Sequence, residues 1–108
     1  MIYLCTDISK FQEFLQDFRK THEDKHFIDL SKLDPDKLAG ESDSIVNHHK
    51  DCIVFLGYLE PGWMIDPMSQ TRMRKLFRKF PVGLVSQFTE SLPFSWKNEI
   101  DIVYTFKS

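Results

Sequence analysis

Cys5 lies near the end of the apolar run Ile2 to Thr6, with Asp7 directly after it. A thiol so placed could attack a ligand if helix N–H groups lowered its pKa, but a cysteine within an apolar run more commonly packs as a small hydrophobe. The Cys-x5-Arg cradle of cysteine phosphatases is missing, since residue 11 is Phe11. His49 and Cys52 have a metal-ligand spacing, with His48 and Asp51 beside them, and His22 and His26 stand four apart. Neither group supplies the three or four converging ligands that a zinc site needs, so no metal and no cofactor is expected. No GxSxG elbow, GxGxxG turn or GxxxxGK[ST] loop occurs, and with four glycines in the chain a phosphate cradle is hard to build.

Charge and aromatic side chains are more concentrated. Between Asp66 and Glu90 there is no acidic residue, while Arg72, Arg74, Lys75, Arg78 and Lys79 supply five positive charges. At 100° per residue these cations fan across the helix face opposite Met73, Leu76, Phe77 and Phe80, which makes a basic stripe able to dock an acidic surface. The bland reading is a solvated face whose late cations suit the helix dipole. Just upstream, Tyr58, Trp63 and Met64 crowd a turn-rich segment, and Phe94 and Trp96 do the same later. Such groups either bind a partner or fold back as core material. With a net charge of −2 and a pI near 6, the chain lacks the broad basic footprint of a nucleic-acid binder.

The elements that must carry these residues follow from periodicity. The 108 residues, 42% hydrophobic, suit one domain over 1–108 with a single core. The longest apolar window, Ile53 to Leu59, is too short for a membrane span, and two distant cysteines suit a reducing, cytoplasmic setting. Ile2 to Thr6 reads as a strand. Phe11, Phe14, Leu15 and Phe18 recur at helical spacing, and Asp7 or Ser9 caps the start. Phe27 to Leu30 is a second strand, followed by an Asp34-Pro35 helix start and a segment that Gly40 is expected to split. Ile53 to Leu56, apolar throughout, reads as the central strand of a parallel sheet. Asp66-Pro67 opens a third helix that Pro81 ends, and Val82 to Val85 is another buried strand. The segment from Thr89 to Asn98 is irregular, and Ile100 to Phe106 forms a half-exposed last strand at an edge, whose direction, antiparallel or parallel, the pattern leaves open.

The order βαβαβαββ predicts an α/β fold with a small, mostly parallel sheet of about five strands and helices on both faces. Ligands of such sheets collect beyond the carboxyl ends of the strands. Cys5, Thr6, Asp7 and Asp66 are therefore the crevice candidates.

Over residues 2 to about 88 the chain also has a Phe-rich helix after the opening strand, an acidic-proline turn after the second, and Tyr58 and Trp63 after the buried third strand. This layout resembles a TIR domain, one of the flavodoxin-like α/β folds. TIR domains that cleave NAD place a catalytic glutamate two or three residues beyond a cysteine next to the tryptophan. Here Met64 replaces that cysteine, Asp66 is the nearest acid and Pro67 stands where the glutamate would fall. The family's opening aspartate and serine are also missing, and Gly57 replaces a common serine. The resemblance thus implies homotypic or adaptor assembly instead of NAD cleavage.

These observations favour a non-enzymatic protein-interaction domain, an adaptor, regulator or inhibitor. It would bind an acidic protein surface through Tyr58, Trp63, Met64, Arg72, Arg74, Lys75, Arg78 and Lys79, with homo-oligomerisation a further option. The alternatives are a small enzyme or nucleotide-binding protein using the strand-end crevice, and, behind it, nucleic-acid binding by the basic helix.

Overall fold

Alternating side chains on the inner strands serve two separate apolar layers. Ile2 and Leu4 face one side of the sheet and Tyr3 and Cys5 the other. Val54 and Leu56 are likewise divided from Ile53 and Phe55. Strands buried on both faces are the signature of a covered parallel sheet. The computed structural model describes residues 1–59, 66–87 and 92–104.

Five strands, β1 (Ile2–Cys5), β2 (His26–Asp29), β3 (Cys52–Tyr58), β4 (Val82–Val85) and β5 (Ile100–Tyr104), pair in the order β2-β3-β4-β1-β5. Every pairing is parallel. The connecting helices are α1 (Phe11–Thr21), α2 (Pro35–His48), α3 (Pro67–Lys79) and α4 (Phe94–Lys97). From β1 the chain travels to the far edge at β2, then steps back across the sheet. Right-handed crossovers place helices of opposite travel on opposite faces. Accordingly, among the described helices, α1 is the one on the first layer, and α2, α3 and α4 share the other.

Two sequence expectations are corrected, and the open direction of the last strand is resolved. The last strand lies at an edge and runs parallel, because residues 86–99 supply the dozen or so residues that a crossover needs and include the short helix α4. The centre of the sheet is β4, and β3 is an inner strand beside it. Gly40 does not split the second helix, since α2 is continuous from Pro35 to His48 and Gly40 sits exposed with open space around it. The strand order also differs from the 2-1-3-4-5 of flavodoxin-like sheets.

Two glycines are sterically required. Gly83, in the middle of β4, faces α1. A Cβ there would lie 3.0 and 3.1 Å from the Phe18 ring and 3.2 Å from Phe55, so the missing side chain is what lets α1 close onto the sheet. Gly57 follows a register shift between β3 and β4 and has φ +80°, a left-handed conformation. Its Cβ would approach the Ser31 Cβ to 2.6 Å. A Gly57→Ala substitution is expected to lower unfolding stability by at least about 1–2 kcal/mol from backbone strain alone. In urea titrations Ser31→Gly should recover only the steric share of that loss. An unchanged midpoint for Gly57→Ala would contradict the assigned backbone.

Candidate functional site

The basic stripe on α3 forms as its periodicity predicts, with Met73, Leu76 and Phe77 buried beneath it. Its charges, however, are largely bound within the molecule. Arg72 Nε donates to Asp43 of α2 at 2.6 Å, and Arg74 and Arg78 both reach Glu99 Oε1, at 3.3 and 2.9 Å. Lys79 donates to the Val46 carbonyl at 2.6 Å. Lys75 alone of the five has no intramolecular partner among the described residues. The arginines thus fasten α3 to α2 on one side and to the turn before β5 on the other.

Glu99 is the junction of this network. The Arg78 hydrogen bond is the largest influence holding its carboxyl below the ordinary value. Burial opposes that shift and Arg74 adds to it.

Of the aromatic candidates, Trp96 is fully buried, its ring edge-on to Phe77 at 4.9 Å and its Nε1 donating to the Gln70 carbonyl at 3.3 Å. That places it in the core between α3 and α4. Phe94, two residues earlier, is 81% exposed, and Met68, at the start of α3, is 76% exposed. Pro67, Met68, Thr71, Arg72 and Lys75 line a shallow groove of about 370 Å³. Tyr58 is half-buried at the end of β3. Trp63 and Met64 lie outside the described residues.

Among the described residues the strand-end candidates are engaged in separate local contacts. Cys5 is fully buried, its Sγ contacting the Asp7 carbonyl at 3.2 Å, and burial pushes its thiol pKa up, the wrong direction for a nucleophile. The Asp7 carboxylate accepts from Ser9 N and Oγ as the cap of the 3-10 turn Ile8–Lys10. Thr6 is half-buried beside it. Asp66 begins α3 on the opposite layer, capping it through Ser69 N at 3.0 Å and Ser69 Oγ at 2.8 Å, and these bonds hold its carboxyl below the ordinary range. A backbone bond from Ser86 N to the Cys5 carbonyl at 2.9 Å ties the ends of β1 and β4 together. The cavity at this end, about 170 Å³, lies on the α1 side, lined by Ile8, Phe11, Ser31, Phe55, Gly57, Tyr58 and Val85. It contains none of the four crevice candidates.

No cluster of three metal-binding side chains occurs among the described residues. His26 and His49 stack in parallel at 5.9 Å, a pairing across elements that the sequence spacing does not reveal, and His48 Nδ1 contacts the Ser44 carbonyl. No helix among the described residues is long and apolar enough to cross a membrane.

No family model, curated protein or solved structure matches the chain. The TIR likeness accordingly rests on element order and on Tyr58 and Trp63 alone.

The Glu99 shift sets a pH dependence. A carboxyl whose folded pKa is below its unfolded one binds more protons when unfolded. Its stabilisation is therefore complete above the unfolded value and is lost as pH falls through the folded value. Glu99→Gln should cost about 1 kcal/mol at neutral pH, for two partly solvent-screened pairs. It should also flatten the acid side of the stability profile in denaturant titrations between neutral pH and pH 3. A profile parallel to that of the parent protein would show that the pairs do not stabilise the fold.

Proposed function

We propose that this chain is a protein-interaction domain that docks a partner at the adjoining starts of α3 and α4. The observation that carries the reading is the placement of Met68 and Phe94, the two most exposed large apolar side chains described. Each lies two residues from the Trp96–Gln70 hydrogen bond that joins the two helices. Two such side chains on one end of a fixed helix pair are costly to leave in water, and methionine and aromatic residues are enriched in interfaces. Lys75, in the same groove as Met68 and without an internal partner among the described residues, supplies a positive charge beside Met68. The partner this surface suits offers an apolar side chain with a carboxylate next to it. Compared with the stripe read from the sequence, the surface moves toward the amino end of α3, because the arginines are already engaged. The segment bearing Trp63 and Met64 leads directly into it along the chain.

The commitments of Cys5, Asp7 and Asp66 to structural bonds support docking over turnover in this reading. A second reading, ligand binding at the strand ends, is favoured by the cavity beside Gly57 and Tyr58. Its lining of mainly apolar side chains suits a small apolar molecule better than a nucleotide.

The test is substitution of Met68→Asp together with Phe94→Asp in the tagged chain, followed by quantitative comparison of proteins retained from the native cell. Because both side chains are exposed, stability should change by no more than about 0.5 kcal/mol per site. Specific retention should fall at least tenfold, and Lys75→Glu should reduce it further. Retention equal to that of the parent, with the fold intact, would exclude this surface.

A further inference from the structure

At the opposite end of the sheet, under the last turn of α1, is a pocket of about 280 Å³ lined by Arg19, Lys20, His22, Glu23, Lys25, Phe27 and Ile53. We propose that this pocket binds a small phosphate-bearing molecule. Three fixed cations line it against a single carboxylate. Lys25 is held by Asp51, but Arg19 and Lys20 have no ion pair among the described residues. The Arg19 guanidinium lies over the Phe27 ring, 4.2 Å from its centroid. Stacking of that kind fixes the plane of the guanidinium and leaves its N–H edges available for an oxyanion.

The independent observation is His22. Its Nε2 is shielded from solvent and has no hydrogen-bond partner among the described residues. The ring is held edge-on by Tyr3 at 5.3 Å and Phe18 at 5.6 Å. A buried polar nitrogen without a partner is costly, and His22 borders the pocket although its Nε2 is turned away from the open space. Binding in this pocket would pair Nε2 only with a rotation of the ring away from its Tyr3 and Phe18 contacts. Burial, and then the Lys25 charge, lower the His22 pKa, with Asp24 opposing. A bound anion would offset both of the lowering influences.

Cations near a helix C-terminus also complement its dipole. That role requires neither a cavity nor an unpartnered imidazole nitrogen. The volume corresponds to about nine waters, which leaves room beyond phosphate itself for a small organic group.

The experiment titrates the full chain with inorganic phosphate and, separately, with adenosine monophosphate. Ionic strength is matched with potassium chloride, and melting temperature and the His22 ring resonances are followed. A saturable rise in melting temperature with a shift of the His22 signals is expected. Tighter binding of the monoester would identify an organic phosphate as the occupant, and equal binding would identify free phosphate. The exposed pair Arg19→Gln and Lys20→Gln should weaken binding at least tenfold without unfolding the chain. His22→Gln should weaken it less, and Lys75→Gln should leave it unchanged. The proposal is overturned if neither ligand gives a saturable response beyond the chloride control, or if the response survives in the Arg19→Gln, Lys20→Gln protein.

Discussion

Everything on one side of this sheet depends on how closely α1 can approach it. Three helices share the other layer, but among the described helices α1 alone covers the face formed by Tyr3, Cys5, Ile53, Phe55 and Val85. It does so with rings. Phe14 and Phe18 stack at 5.9 Å, Phe18 meets Tyr3 at 5.4 Å, and Phe14 meets Tyr104 edge-on at 4.8 Å. Aromatic side chains bury large areas per residue, which suits a single helix that must seal a broad surface. The fit is possible because β4 presents a hydrogen instead of a side chain at Gly83. Interiors packed to crystal density tolerate little added volume, so this contact ties the composition of α1 to one position on a distant strand.

The opposite layer is organised by charge as well as by packing. Asp43, Glu99 and the Val46 carbonyl receive most of the cations of α3, so a stripe that looks outward in the sequence is turned along the surface into staples. Exposed pairs of this kind contribute little individually, but they fix the azimuth of α3 and, with Trp96 beneath it, the position of α4. The starts of both helices are then joined through the Trp96–Gln70 hydrogen bond.

Much of this was legible from residue spacing. The Phe11, Phe14, Leu15, Phe18 series and the Met73, Leu76, Phe77 series each mark one buried helix face. Asp66-Pro67 and Asp34-Pro35 mark helix starts correctly to the residue. Strand order was not legible, because periodicity reports which side of a strand is buried and not which strands are neighbours. The register shift between Ile2 and Tyr3 in the β1–β5 pairing hid a second feature. It places Ile100 against one layer and Tyr104 against the other, although strict alternation puts them on the same side. The pairing of Arg74 and Arg78 with Glu99 and the stacking of His26 on His49 join residues more than twenty positions apart, so no local spacing announces them. The unpartnered His22 nitrogen is likewise a property of its surroundings. The sequence marks His22 only as one of two histidines four apart.

The place of β1 between β4 and β5 has a kinetic consequence. β1 can pair with β4 once Val82–Val85 is present, but its other ladder neighbour is Ile100–Tyr104, and until that strand arrives one edge of β1 must remain solvated or wrongly paired. Loop closure of that span must precede the gain from pairing, so assembly is late, cooperative and slow for a chain of this size. During synthesis the β2-β3-β4-β1 portion would wait with the far edge of β1 open until β5 is present.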